Sequence, residues 1–339
     1  MGPRRIVCLA LAACVLATLG AACRSQGGVD ARALAGLRGE TIGVVSLTDV
    51  STLEARYLLQ EAAGLDVSQE GSAVTFMEVP PESLAEELAS GQIDAAIPSP
   101  AGAFRLLSDD RFRVLAEVSK EVRRLAGGPL ASSVLLTYPD VAEQKAEPLA
   151  ALDRLLAQSM AYYAANEGLV LETIAGSAGV DLTFLRWHAE RQDLRLGDLS
   201  AETQERLLRT WQAAVTLGVI DRAPDLATVL FAPAKQEAAA NGMAGGRVTV
   251  SMALLDDPSR RGALYAIEQG LVSSDEIDID LTYLPASALA GAATTKQYDV
   301  VEALPLLVPI SARQDVGFVV FSAGAAALGS TYLFVRAAP

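Results

Sequence analysis

The residues of this chain that could bind or react are polar side chains placed where short apolar runs end. These strand-end positions are Ser46, Thr48, Asp49, Ser99, Asp256, Asp257, Glu302 and Ser322. Their carboxylates and hydroxyls can hold a polar ligand. Three cysteines and a single histidine leave little material for disulfide frameworks, Cys/His zinc sites or His-dependent triads. We therefore expect a binding protein without a metal or cofactor rather than an enzyme.

The carboxylates of this set are expected to meet, because ligands of open α/β sheets bind outside the carboxyl ends of the strands. Arg260 and Arg261 fall inside the helix that we predict after this turn, so we expect them to lie away from the site. An oxyanion would then be repelled, which favours a neutral or amine-bearing ligand. The alternative is that Asp49 and Asp257 are only helix caps. Glu302, in an apolar Val-Val-Glu-Ala-Leu context, is the more suggestive residue.

Length and charge restrict the class of protein. The chain has 339 residues, 51% of them hydrophobic, and a formal net charge of −14. That length suits two domains or lobes rather than one core. A strongly acidic chain argues against nucleic acid as a partner, because phosphate neutralisation needs a surplus of Lys and Arg.

The N-terminus has the layout of an export signal. Arg4 and Arg5 precede an uncharged apolar run, residues 6–19, and small residues follow up to Cys23. The end of this run resembles a bacterial lipobox, with residues 1–22 removed and Cys23 lipidated, although Leu19 stands one place further upstream than usual. Residues 23–34 would then form a tether. An ordinary cleaved signal or a buried thiol is the alternative.

A second uncharged apolar stretch, Phe318 to Val335, is predicted to be core rather than a membrane span. Gly324, Gly329 and Ser330 separate two runs rich in β-forming residues. Strand, turn, strand is the interpretation, since buried strands are continuously apolar.

Two segments of the chain, residues 35–132 and 245–339, share one pattern of strands and helices. The first contains predicted strands at 41–45, 74–79, 95–97 and 113–116, and the second contains them at 248–252, 277–283, 300–301 and 317–321. Gly91-Gln-Ile-Asp94 and Lys296-Gln-Tyr-Asp299 occupy equivalent places. Alternating strands and helices predict parallel-rich sheets covered on both faces. Convergence on the same βαβ pattern is the alternative to a true repeat.

The region between these segments, residues 133–244, has a different character. It begins with one strand, at 132–137, and continues mostly as helix with apolar stripes, which are typical of core. His188 is predicted to lie here, away from the strand ends, as a satisfied histidine, and Trp187 as a packing residue. Residues 241–246, Asn-Gly-Met-Ala-Gly-Gly, are a plausible loop.

Leu37-Arg-Gly-Glu-Thr-Ile-Gly-Val44 and Ser90-Gly-Gln-Ile-Asp-Ala-Ala96 carry a family resemblance. They resemble the second lobe of the nitrate, sulfonate, taurine and thiamine-pyrimidine-precursor group of solute-binding proteins (the SsuA/TauA-like family), which deliver ligands to ABC importers. The resemblance implies a two-lobed periplasmic-binding-protein-like (type 2) α/β fold. It extends over nearly all of the chain after the signal.

The order of the segments departs from that family. Residues 247–336 resemble the family's beginning but stand at the end of this chain, so that its end would continue into Leu37. This pattern indicates a circular permutation, which chains tolerate where termini are exposed and adjacent. A truncated tandem array is the rival explanation.

The resemblance implies a membrane-anchored lipoprotein, facing the periplasm or the exterior, that captures a small molecule between its lobes for an ABC importer permease. An enzyme of the pyrimidine-precursor synthase type is disfavoured, because that enzyme needs histidine and a cysteine-rich metal motif. A ligand-free or signalling relative with a degenerate cleft remains open, since no aromatic residue stands at the predicted strand ends.

Overall fold

The computed structural model describes residues 28–68, 72–231, 247–314 and 316–337. The expected signal, Cys23 and the 241–246 loop lie outside the described residues. The strands are β1 Thr41–Val44, β2 Thr75–Glu78, β3 Ala95–Ile97, β4 Phe112–Glu117, β5 Val134–Thr137, β6 Gln192–Leu194, β7 Val248–Leu255, β8 Ile277–Leu284, β9 Val300–Ala303, β10 Val319–Ala323, β11 Ala325–Ala327 and β12 Tyr332–Arg336.

The helices are α1 Ala31–Ala35, α2 Val50–Ala63, α3 Leu84–Ser90, α4 Pro100–Leu106, α5 Val118–Leu125, α6 Pro139–Gln144, α7 Ala146–Ala178, α8 Leu182–Ala189, α9 Ala201–Thr216, α10 Leu226–Val229, α11 Tyr265–Glu268, α12 Ala286–Thr294 and α13 Leu307–Ser311. Two 3-10 helices, Pro258–Leu264 and Ala312–Gln314, complete the elements. We call the first of these the 258–264 helix. In the part of the chain that the structure describes, no helix combines the length and apolarity that crossing a membrane requires.

Two five-stranded sheets share the same strand order. The first sheet runs β2-β1-β3-β12-β4 and the second runs β8-β7-β9-β5-β10. In each sheet the first three strands are parallel, and the fourth is antiparallel to both of its neighbours. The predicted repeat and the predicted α/β class, with two parallel-rich mixed sheets flanked by helices, are confirmed.

The antiparallel strand of each sheet is supplied by the other half of the chain. β5, in the second sheet, follows β4 and α5 of the first; β12, in the first sheet, follows β10 of the second. The chain thus passes between the sheets at residues 131–133 and 324–327, which we call the crossing segments. They bond to each other, with Ser132 N donating to the Ala325 carbonyl at 2.7 Å and Gly324 N donating to the Ser133 carbonyl at 3.1 Å.

The repeated aspartates have the same structural role in both sheets. Asp94 Oδ2 accepts a hydrogen bond from Thr41 N in β1 at 2.9 Å. Asp299 Oδ2 accepts one from Ser251 N in β7 at 2.8 Å, and Lys145 Nζ donates to the same oxygen at 2.8 Å. Each aspartate therefore ties the loop before the third strand of its sheet to the first strand, which explains the repetition of this element without a ligand.

The apolar stretch from Phe318 to Val335 lies in the core, as predicted. It forms β10, β11 and most of β12, and Val320, Phe321 and Leu333 are fully buried. The long helix α7 packs against the 258–264 helix and α11, on the side of the second sheet.

The predicted start of the second helix is wrong in one detail. Ser51 and Glu54 have the spacing of a capping box, but α2 begins at Val50 with Asp49 at the N-cap, and it ends at the predicted Gly64. Glu54 lies instead in the interior, 1% exposed. Burial raises its pKa to about 8, while a hydrogen bond from Thr331 opposes the shift.

Candidate functional site

The candidate site surrounds Glu302, near the carboxyl end of β9. Because β7 and β9 are neighbouring parallel strands, their carboxyl ends meet at the same sheet edge. Glu302 is 8% exposed. Its Oε2 accepts a hydrogen bond from Leu255 N at 3.0 Å, and its Oε1 accepts one from Arg260 Nη1 at 2.6 Å. The carboxylate thus joins the end of β7 to the segment that follows it.

The prediction that Arg260 would lie away from the strand ends is wrong. The expected α-helix begins as the 258–264 helix, with Asp257 at its N-cap and Pro258 in its first turn. Side chains three residues apart eclipse in a 3-10 helix, and Arg260 Nε lies 3.7 Å from Asp257 Oδ2. Burial alone would lower the pKa of Arg260, but Glu302, Asp257 and Asp49 together raise it. The guanidinium is therefore turned back toward the strand ends.

Asp49 approaches the same group from the first sheet. It stands at the N-cap of α2 but makes no side-chain cap hydrogen bond. Burial raises the pKa of Asp49, the Arg260 guanidinium lowers it, and Glu78 raises it further. Since Asp49 follows β1 and Arg260 follows β7, the carboxyl ends of these two strands face each other. We call Asp49, Asp257, Glu302 and Arg260 the Arg260 cluster.

The expected accumulation of uncompensated negative charge at this place is wrong. Arg260 pairs with Glu302 and lies beside Asp257, and Arg261 Nη2 pairs with Asp256 Oδ1 at 2.7 Å. The cluster itself still has more carboxylates than guanidinium groups, so cation recognition stays electrostatically favoured.

The predicted residues of the first sheet other than Asp49 form local turns and caps. Ser46 Oγ and Thr48 Oγ1 are 3.1 Å apart in the turn after β1. Ser99 Oγ accepts a hydrogen bond from Gly102 N at 3.3 Å, which caps α4. In the described structure these hydroxyls bond within their own turns, and Thr48 is exposed.

Two predicted residues of the second sheet also stand apart from the cluster. The Asp256 side chain is 51% exposed beside Arg261. Ser322 is fully buried in β10, where its Oγ accepts a hydrogen bond from Gly197 N at 2.8 Å and donates to the Ala323 carbonyl. Ser322 therefore joins β10 to the helical region.

The prediction that His188 lies away from the strand ends is wrong. The residue is 4% exposed, and burial lowers its pKa to about 4, while Asp257 raises this pKa and Arg260 lowers it. Both members of the cluster are thus close enough to act on the imidazole. The contact arises because α8 packs on the 258–264 helix.

Aromatic rings join α8 to the first sheet's side of the molecule. Phe104, in α4, has its ring centroid 5.4 Å from that of Trp187 and 5.7 Å from that of Phe184. Trp187 also stacks on Tyr332 at 6.1 Å, in agreement with its predicted packing role. These rings contact both halves of the molecule on the far side of the Arg260 cluster from neither sheet alone.

A small cavity lies beside the Arg260 cluster. Its volume is about 20 Å³, room for about one water molecule. Its lining comes from the second sheet, the 258–264 helix and both crossing segments, and it includes Ser133, Leu254, Arg260, Tyr283, Glu302 and Gly324. Arg260 Nη1 also lies 3.4 Å from Ser133 Oγ. The cluster therefore reaches the place where the chain passes between the sheets.

Sequence reasoning missed Arg260, Ser133 and Phe104 as residues of this region. For Arg260 a signal existed, the spacing of three from Asp257 across a Pro-initiated turn, which suits a 3-10 helix. The arrangement can bind and orient a charged group. Among the described residues, no group of three or more His, Cys, Asp or Glu side chains is placed to hold a metal ion.

Comparison with known proteins gives similarity of low extent. No family model matches the sequence, and no curated protein matches it. Three solved structures align with the chain. The periplasmic aliphatic sulphonate binding protein SsuA from Escherichia coli aligns with a TM-score of 0.31 and 12% identity, over 87% of this chain and 64% of that one. A binding protein component of an ABC phosphonate transporter from Pseudomonas aeruginosa aligns with a TM-score of 0.31 and 12% identity, over 88% and 68%.

The PBP AgaA in complex with agropinic acid, from A. tumefaciens R10, aligns with a TM-score of 0.33 and 10% identity, over 78% of this chain and 55% of that one. The matched part thus spans less than two thirds of SsuA and of AgaA. The structural neighbours described here are solute-binding proteins, and at these TM-scores the function is argued from the geometry above.

Proposed function

We propose that this chain is an extracytoplasmic solute-binding lipoprotein that captures a small molecule between two lobes for an ABC importer. The observation that carries the proposal is the reciprocal exchange of β5 and β12 between two sheets of identical strand order. It leaves the sheets joined by two crossing segments, with the carboxyl ends of β1 and β7 facing each other. Two bodies linked at a hinge close on a ligand when the ligand makes better contacts in the closed state.

The ligand site that we propose lies at the Arg260 cluster, which combines residues from both sheets. Of the residues predicted from sequence, Asp49, Asp257 and Glu302 belong to this site. Ser46, Thr48, Ser99, Asp256 and Ser322 have local partners instead. The surplus of carboxylate over guanidinium supports the sequence-based preference for a neutral or amine-bearing ligand over an oxyanion.

The proposed lobes are residues 35–132 and 245–339, each completed by the other's exchanged strand, with residues 133–244 packing on the second. We also propose that the chain is a circular permutation of the SsuA/TauA-like arrangement. A chain that began at Arg247 and continued from β12 into Leu37 would build the second sheet first and then the first, as that family does. A re-ordered chain with residues 337 and 28 joined by a linker should fold and bind the same ligand.

Lipidation of Cys23 and attachment to the membrane complete the proposal. Intact-mass spectrometry of membrane-extracted protein should show a diacylglyceryl adduct and the loss of residues 1–22, and Cys23→Ser should release the protein from the membrane. A protein that fractionates with the membrane equally well as Cys23→Ser would contradict the anchor.

Thermal shift against nitrate, sulfonates, aminopyrimidines and amines tests the binding role. A ligand at 100 times its Kd stabilises the folded protein by about 2.7 kcal/mol, so a ligand of the right class should raise Tm measurably. Asp49→Asn should reduce this rise, while Asp221→Asn, an exposed aspartate paired with Arg313, should not.

A ligand-free relative with a degenerate cleft is the second candidate. The cavity of about 20 Å³ beside the cluster favours it, because small-molecule sites are typically an order of magnitude larger. If no compound class raises Tm, and pull-down through the importer permease fails as well, this second function replaces the first.

A further inference from the structure

We propose that Asp49, Asp257 and Glu302 form a recognition site for a guanidinium or amidinium group of the solute, and that Arg260 fills this site in the ligand-free protein. This inference rests on the proposed solute-binding function and names its ligand class. It treats the side chain of Arg260 as an internal occupant that the solute displaces.

The arrangement around Arg260 has the chemistry of a guanidinium site. Glu302 accepts the 2.6 Å hydrogen bond from Nη1, Asp257 lies 3.7 Å from Nε, and Asp49 acts on the group from the other sheet. A planar guanidinium with several donors suits carboxylates placed around it, and charge-assisted bonds of this kind are the strong ones. Because the carboxylates come from both sheets, a cation held by all of them would bridge the two halves.

Arg260 uses this site incompletely. Among the hydrogen bonds of the described residues, its buried Nε has no partner, and the distance to Asp257 is too long for a hydrogen bond. A free guanidinium is not restricted by the backbone of the 258–264 helix, so it can align with Asp257 and Glu302 together. The resident side chain is therefore an occupant that a better-aligned cation can replace.

An independent observation at the same place is the imidazole of His188. The residue is 4% exposed, and in the described structure its Nδ1 has no hydrogen-bond partner. It lies close enough to Asp257 and Arg260 to feel both charges. A buried polar atom without a partner is costly, and a polar group of the bound solute would satisfy it.

The crossing segments give this site a route to the hinge. Arg260 Nη1 lies 3.4 Å from Ser133 Oγ, and the same oxygen accepts a hydrogen bond from Ala325 N at 3.0 Å. Displacement of Arg260 by a solute would remove one contact on the pair of segments about which the halves move. Occupancy of the site and the hinge are therefore linked through Ser133.

Chemical rescue tests the inference. Arg260→Ala removes the occupant and leaves the carboxylates, so ethylguanidinium at millimolar concentration should raise the Tm of this variant by about 2 to 4 °C. Potassium chloride at equal ionic strength should not. The matched control is Arg261→Ala, which removes the neighbouring arginine and its exposed pair with Asp256 and should gain nothing. The double variant Arg260→Ala/Glu302→Gln should lose the rescue. If Arg260→Ala does not fold alone, its refolding yield with and without ethylguanidinium gives the same comparison.

The outcomes separate this inference from the proposed function. No greater stabilisation of Arg260→Ala than of Arg261→Ala overturns the guanidinium site. Stabilisation of the wild-type protein by agmatine or benzamidine supports the ligand class, whereas stabilisation by sulfonates alone overturns it and leaves the solute-binding function standing. Rescue of Arg260→Ala with no wild-type response to any compound supports the occupied site and overturns solute capture.

Discussion

Arg260 and Glu302 form an ion pair with little water around it, since their side chains are 24% and 11% exposed. The net worth of such a pair is small compared with the cost of removing one partner, because the other charge is then left buried without compensation. Glu302 also accepts the Leu255 backbone bond, so its loss affects the end of β7 as well. The pair therefore fixes the geometry of the candidate site more than it stabilises the fold.

We expect Glu302→Gln to lower the free energy of unfolding by about 2 to 4 kcal/mol, because Arg260 loses its counter-charge while shape is retained. Urea denaturation of purified protein measures this. Glu276→Gln is the matched control, since Glu276 pairs with Arg154 where both side chains are more than half exposed, and it should cost about 0.5 kcal/mol or less. Equal losses in the two variants would contradict the buried character of the Arg260–Glu302 pair.

Glu54 predicts a pH dependence of stability. Its pKa rises from 4.5 to about 8 on folding because of burial. The native state therefore binds more protons than the unfolded state between these values, and this contribution is complete below pH 4.5 and lost as the pH rises through about 8. The pKa of His188 is lowered to about 4, so His188 affects stability only below about pH 6.5.

The free energy of unfolding should consequently fall from pH 6.5 to 8.5 in the wild-type protein and fall less in Glu54→Gln. Urea titrations across this pH range test the difference. Glu61→Gln, an exposed position on the same helix, should keep the wild-type slope. A Glu54→Gln slope equal to that of the wild type would mean that Glu54 is ionised in the native state.

At the scale of elements, the contact between α7 and the 258–264 helix positions the candidate site. Gly262 makes this contact possible, because a Cβ there would lie 2.6 Å from Tyr163 Cε2. We expect Gly262→Ala to lower the free energy of unfolding by about 1 to 3 kcal/mol, through overpacking. Gly291→Ala, in α12 with open space around it, should be neutral or stabilising. Circular dichroism melts of both variants measure the contrast.

The sequence predicted elements well where local pattern decides them. Apolar runs located β1, β7 and β9, and the Asp257-Pro258 turn located the start of the next helix. It could not decide between a 3-10 and an α-helix after Pro258, because both accept the same N-cap and proline. That choice directs Arg260, and so the charge balance of the site was mispredicted.

His188 shows the other kind of limit. Its position on α8 was expected from sequence, but its proximity to Asp257 depends on how α8 packs against the 258–264 helix, a contact between residues about 70 positions apart. Such tertiary contacts carry no local periodicity. Sequence reasoning therefore placed the strands and missed the helix that approaches their ends.

At the scale of the whole molecule, the aromatic contact of Phe104 with α8 opposes separation of the two halves. Aromatic pairs contribute about 1 kcal/mol beyond their buried area, so Phe104→Ala should favour the open arrangement by about that amount. Small-angle X-ray scattering should show a larger radius of gyration for this variant. Phe76→Ala, which removes a half-buried ring of β2 beneath Arg56, should leave the radius unchanged. A radius unaffected by Phe104→Ala would contradict this role of the aromatic contact.

The exchange of β5 and β12 has a consequence for synthesis on the ribosome. β4 pairs only with β12 in the first sheet, and β12 ends at Arg336, more than 200 residues after β4. Until that last strand emerges, β3 and β4 have unoccupied edges, and such edges recruit strands from other chains. The nascent protein must therefore be shielded from aggregation for nearly the whole of its translation.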